Sequence, residues 1–127
     1  MSFKVLVLDD NENLQEMWRA DMALRHVSYT DTISMISASS IEEALEQFRA
    51  NPDLAVIVLS GCVLGRQSDT LPLAKEFRKT FNGPIIATSA IPWFQDQLVA
   101  AGCSHKSSKD YLTRKILEVL GLRKPPS

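Results

Sequence analysis

Short, continuous apolar runs alternate along this chain with stretches whose apolar residues recur every three or four positions. Lys4 to Leu8 (KVLVL) is short and β-branched, the pattern of a strand buried on both faces. Asp9 and Asp10 end it. Asn11 or Asn13 then offers a cap to a helix whose apolar residues Leu14, Met17, Trp18 and Met22 or Leu24 fall near helical spacing, until the polar stretch 28–31 breaks it. Ile33 to Ala38 predicts a weaker strand. Ser39 and Ser40, each with a glutamate three residues on, double the capping-box pattern before a helix with Ile41, Ala44, Leu45 and Phe48 on one face. Leu54 to Leu59 predicts a third strand, and Leu73, Phe77 and Phe81 the inner face of a third helix. Pro84 to Ala90 (PIIATSA) predicts a fourth strand. Pro92 suits the first turn of a helix that carries Phe94, Leu98 and Ala101 inward, and Gly102 suits its end. Ser104 to Ser108 is a poor strand by composition, acceptable at a sheet edge. Leu112, Ile116, Val119 and Leu120 mark a last amphipathic helix, and 123–127 reads as a tail or the start of a linker.

Five strands alternating with five helices predict a parallel sheet covered on both faces. The expected architecture is α/β, a flavodoxin-like (βα)5 three-layer sandwich with strand order 2-1-3-4-5. Such sheets keep their chemistry beyond the carboxyl ends of the strands, near the point where the strand order reverses, here between strands 1 and 3. Asp9, Asp10 and Ser60 end those two strands. Two carboxylates and a hydroxyl are therefore the first candidates for function.

Bulk properties narrow the setting. A chain of 127 residues fits one domain, 1–122, with the tail behind it. Fourteen Lys and Arg against 15 Asp and Glu leave no field that favours nucleic acid or an anionic membrane. No leader pattern and no run near the roughly 20 apolar residues that span a bilayer is present, so the expected location is cytoplasmic. Cys62 and Cys103 have no metal-ligand spacing and are too few for a disulfide framework, which predicts free thiols. His26 and His105 show no ligand spacing either.

The run KVLVLDDNENL, the strand ending at position 60 with Gly65 five residues later, PIIATSA, and AGCSHKSSK resemble the receiver domains of two-component response regulators. The resemblance covers residues 4 to about 121. In that family an acidic pair after strand 1 helps hold Mg²⁺, an aspartate ending strand 3 takes a phosphoryl group from a histidine kinase, a Thr or Ser ends strand 4 and a Lys follows strand 5. Position by position, the resemblance implies that Asp9 and Asp10 match the acidic pair, Ser89 the hydroxyl and Lys109 the lysine. Ser60 stands at the phosphoacceptor position. Lys106 stands where the family often has a switch aromatic, and Asp110 where a proline usually follows the lysine. The spacings around the fourth helix and fifth strand also depart from the family's, which implies a rebuilt reporting surface there.

The serine decides what function survives. An aspartate is ionised at neutral pH and attacks a phosphoryl group directly, whereas a serine hydroxyl needs a base and yields a stable ester. Ordinary aspartyl phosphorylation is therefore not expected. Asp9 and Asp10 alone make at most a weak Mg²⁺ site, since Mg²⁺ wants near-octahedral oxygen, so no cofactor is expected. Lys109, without an anionic partner at 60, is expected to turn toward Asp9 or Asp10.

Other chemistries fail locally. A serine hydrolase needs Ser60 in a Gly-x-Ser-x-Gly elbow, but Val58 and Cys62 flank it. A flavodoxin-type phosphate loop does not fit DDNEN, which repels phosphate. The expected function is a receiver-like domain that is not an enzyme, a pseudo-receiver acting through protein contacts in phosphorelay signalling. Its expected partners are signalling proteins: a histidine kinase, a downstream effector, or an output domain in a longer chain, with a homodimer left open. The alternative is a receiver switched by phosphorylation at an unrecognised acceptor, or at Ser60 by a serine kinase.

Overall fold

The computed structural model describes residues 2–26, 32–60, 62–63, 66–67, 70–89 and 92–122; for 26, 62, 63, 66, 67 and 92–94 it describes the backbone alone. Five strands form one parallel sheet: β1 (Ser2–Leu8), β2 (Thr32–Ala38), β3 (Leu54–Ser60), β4 (Ile85–Thr88) and β5 (His105–Ser107), in the order β2-β1-β3-β4-β5. The helices are α1 (Glu12–His26), α2 (Ile41–Ala50), α3 (Leu71–Arg78), α4 (Pro92–Ala100) and α5 (Leu112–Val119), with a 3₁₀ turn at Lys109–Tyr111 leading into α5. This is the expected flavodoxin-like arrangement. A two-residue antiparallel ribbon, Cys62–Val63 with Arg66–Gln67, follows β3 and was not expected.

Alternation along the strands divides the core into two layers. Val5, Val7, Val56, Val58 and Ile86 point to one face and pack with Trp18 and Met22 of α1 and Leu112, Ile116 and Leu117 of α5. Leu6, Leu8, Ile57, Leu59, Ile85 and Ala87 point to the other, against Ala44 of α2, Leu73, Ala74 and Phe77 of α3 and Leu98 of α4. A parallel strand buried on both faces needs this unbroken apolar run, because helices cover each side.

Local signals place the helix ends. Asn11 Oδ1 accepts the Leu14 N–H at 3.1 Å, and Ser40 Oγ accepts the Glu43 N–H at 3.1 Å, each satisfying a donor the helix cannot. Behind α4, Gly102 takes a positive φ of 131° while its N–H bonds Val99 O and the Cys103 N–H bonds Leu98 O, a Schellman closure. Gly121 closes α5 in the same way, with φ 76°.

One apolar residue expected on the inner face of α1 lies outside it, Met17 at 49% exposure, and of the alternatives Met22 and Leu24 it is Met22 that is buried, Leu24 being 74% exposed. The buried line runs through Gln15, Trp18 and Met22 instead. Among the described residues no helix is long and apolar enough to cross a membrane. Gly65, the stretch 28–31, the tail 123–127 and the side chains of His26, Cys62, Trp93 and Phe94 lie outside what is described. Cys103 is buried, and desolvation pushes its thiol up to about 12 despite the opposing Arg78 cation.

Candidate functional site

In-register pairing brings the strand ends together. Leu8 pairs with both Ala38 and Leu59, Ser60 with Thr88, and Thr88 with Ser107, so Asp9, Ser60 and Ser89 emerge at one edge of the sheet from three neighbouring strands. Asp9 prolongs the ladder by donating its N–H to Ala38 O at 3.0 Å.

The Asp9 side chain is 1% exposed, and both carboxylate oxygens are engaged. Oδ1 accepts the Asn11 N–H at 2.8 Å, and Oδ2 lies 2.9 Å from Lys109 Nζ. The expected turn of Lys109 toward the acidic pair is thus made to Asp9, across 100 residues of sequence. A carboxylate taken out of water demands such compensation, because an uncompensated buried charge costs several kcal/mol. The lysine side chain remains 25% exposed. Asp10, the next residue, is exposed.

Ser60 ends β3 with 1% exposure, and its carbonyl accepts the Thr70 hydroxyl at 2.6 Å. Ser89, 7% exposed, follows β4. Its carbonyl accepts Gln95 Nε2 of α4 at 2.9 Å, and the same amide reaches Ser107 O of β5 at 3.1 Å. On the other side, the buried Gln15 amide of α1 donates among Val7 O, Asp9 O and Ala38 O at 3.0 to 3.2 Å. Trp18 Nε1 donates to Lys109 O at 3.0 Å. Lys109 therefore joins α1 through its backbone and β1 through its side chain. Side chains from α1, α4 and the residue before α3 fasten the loops of this edge, and the sequence pattern predicts none of these fastenings. The helical spacing of Trp18 predicts its place on the inner face but not the indole bond to Lys109 O. A glutamine on an otherwise apolar stripe is a weak signal that could have pointed to Gln15; Gln95 has no sequence mark that separates it from Gln97.

Lys106, at the switch-aromatic position, lies on β5 and pairs with Asp96 of α4 at 3.0 Å. Its side chain is 53% and that of Asp96 66% exposed, so solvent screens the pair and its worth is below about 1 kcal/mol.

A magnesium ion at this edge would need oxygen ligands in near-octahedral array. Asp9, the buried carboxylate, already gives one oxygen to a backbone N–H and the other to an ammonium. Ser60 supplies a neutral hydroxyl where a third carboxylate would stand. Among the described residues no group of three or more His, Cys, Asp or Glu is placed to hold a metal ion. The donor set as arranged does not fit the ion.

No family model and no curated protein matches the sequence. Solved structures do match the fold. A two-component response regulator from Clostridium difficile superposes with a TM-score of 0.76 at 18% identity, over 97% of this chain and 99% of that one. The receiver domain of the Francisella response regulator 1452 gives 0.71 at 22% identity, over 94% of each chain. A response regulator from Burkholderia pseudomallei, solved with a phosphorylated aspartic acid, a calcium ion and citrate, gives 0.73 at 19% identity, over 96% of this chain and 67% of that one. The chain thus has the fold of response-regulator receiver domains over nearly its whole length.

Proposed function

We propose that this domain is a receiver-like module of two-component signalling that works through protein contacts and is not phosphorylated on an aspartate. The observation that carries the reading is Ser60, the residue that ends β3 in a receiver fold, buried to 1% exposure beside the Asp9–Lys109 pair. A receiver's phosphoryl chemistry needs an anionic oxygen at that position to displace the donor's leaving group. A serine hydroxyl at neutral pH holds its proton, and the one buried carboxylate of this edge is committed to Asn11 and Lys109. No catalytic role follows from such an arrangement. The domain is read as non-enzymatic and cytoplasmic, with a kinase, an effector or an output domain as its partner. Modification of Ser60 by a serine kinase is the weaker reading, since that residue offers almost no surface to a second active site.

Intact mass after incubation with acetyl phosphate and Mg²⁺ tests this, with Ser60→Asp run beside the natural chain. The expected result is no adduct on the natural chain and an acid-stable, base-labile phosphoryl adduct on Ser60→Asp, whose new carboxylate attacks phosphorus as acetate leaves. A labile adduct on the natural chain would restore an ordinary switching receiver with another acceptor.

A further inference from the structure

The misfit between this pocket and a divalent metal has a physical cause in the surroundings of Asp9. Asp9 is the buried anion of the strand-end cluster, and the ammonium of Lys109 sits 2.9 Å from its Oδ2 while Asn11 N–H holds its Oδ1. The backbone of the lysine is anchored beside the pocket, so its ammonium reaches Asp9 from a fixed root. Its own carbonyl is tied to Trp18 Nε1 at 3.0 Å, and it starts the turn Lys109–Tyr111 that feeds α5. With a neutral Ser60 nearby, no carboxylate at the end of β3 competes for the ammonium.

We propose that Lys109 is the resident cation of this pocket: its ammonium neutralises Asp9 and keeps divalent metal ions off the Asp9–Asp10 pair. Two effects act together. A metal ion would have to displace a hydrogen-bonded ammonium from a nearly waterless carboxylate, and it would then sit within a few ångströms of that positive charge. Like charges this close repel strongly where water is largely excluded. The quarter exposure of the lysine reduces that repulsion without removing it. The inference rests on reading this edge as a receiver pocket.

The test is a MgCl₂ titration followed by the amide signals of Asp9 to Asn11 and the Trp18 indole signal, on the full chain and on Lys109→Gln and Lys109→Arg. Lys109→Gln, which lacks the charge, is expected to saturate at a Mg²⁺ concentration at least about tenfold below the natural chain, a factor worth about 1.4 kcal/mol. Lys109→Arg keeps the charge and is expected to behave as the natural chain. Equal saturation of the natural chain and Lys109→Gln, or no site in folded Lys109→Gln, overturns the proposal.

The Lys109 Nζ signal of the natural chain gives a reading that does not depend on any variant folding. It should stay fixed through tens of millimolar Mg²⁺, and a shift that saturates in step with the Asp9 amide would show the ammonium being displaced and sink the idea. A phosphoryl adduct on the natural chain would defeat the functional reading alone, whereas these titrations judge the cation.

Discussion

Thr88 ends β4 fully buried, and its Oγ1 has no hydrogen-bond partner among the described residues. Its neighbours in register, Ser60 and Ser107, also carry hydroxyls, and that of Ser107 donates to Ser108 O at 2.8 Å. A buried hydroxyl that has given up water without a replacement costs about 1–3 kcal/mol, whereas an apolar group of the same shape carries no such penalty. Valine has that shape, is β-branched and suits a central strand. Thr88→Val is therefore expected to raise the free energy of unfolding by about 1 kcal/mol, at an unchanged denaturant slope in urea. Thr88→Ala removes the hydroxyl but also a methyl group from a packed layer, and is expected to gain nothing or lose stability. A loss of more than about 1 kcal/mol in Thr88→Val would mean that the hydroxyl is satisfied by bound water. Asp9 shows the opposite solution at the same sheet edge, a more costly group made tolerable by two partners.

At the scale of elements, one amide of α4 ties the ends of two strands, beside the core contact of Leu98 and the exposed Lys106–Asp96 pair. Gln95 Nε2 reaches Ser89 O and Ser107 O, so one side chain spans the ends of β4 and β5. β5 has only three residues and pairs on one side alone, which leaves it few bonds of its own. Gln95→Ala should cost about 1–2 kcal/mol for two stranded carbonyls and should hasten hydrogen exchange at Thr88 and Ser107 ahead of β1 and β2. An even acceleration through all five strands would instead make the amide a global support. The elements themselves were legible because their signals are local: Asn11 and Ser40 at helix starts, Gly102 at a helix end, and apolar runs too short and too continuous to be helices. Met17 shows where periodicity failed. It shares its side of α1 with Leu24, seven residues on, and a helix of mixed pattern allows two apolar stripes of which only one finds the sheet. The ribbon after β3 was invisible for a related reason, since VIVLSGCVL runs from strand to loop without a change of pattern. The contacts of the site were less legible still. The order of strands placed Asp9 and Ser60 at one edge and the resemblance to receiver domains added Ser89 and Lys109, but Gln15 and Gln95 serve it only because helix phase turns an ordinary amide toward open carbonyls.

Over the whole molecule, Asp21 and His105 are described groups that tie stability to acidity in separate windows, and the exposed Asp53, held below its ordinary value by the Lys4 hydrogen bond, shares the Asp21 window. Asp21 links α1 to α5: its Oδ2 accepts Arg25 Nε at 2.8 Å and the Thr113 hydroxyl. The Arg25 hydrogen bond, partly opposed by desolvation and helped by Thr113, holds the Asp21 carboxyl below its ordinary 3.8. A depressed carboxylate contributes stability that is fully present above its unfolded value and is lost as the pH falls through the folded one. The Asp21 side chain is 36% exposed, so the contribution is small and salt-sensitive. His105, on the edge strand, is pushed below its ordinary 6.5 first by burial and then by the Lys115 cation. There the unfolded chain binds the proton more readily than the folded one, so stability declines as the pH drops below about 6.5 and levels off once the folded imidazole is also charged. Acidification should therefore lower the melting temperature in two stages, a shallow one below about pH 6.5 and a later one below about pH 4. His105→Gln is expected to flatten the first stage and leave the second, and Asp21→Asn to blunt the second, more so at low salt. Melting curves across that range check both. If His105→Gln left the first stage intact, His105 would not be its source.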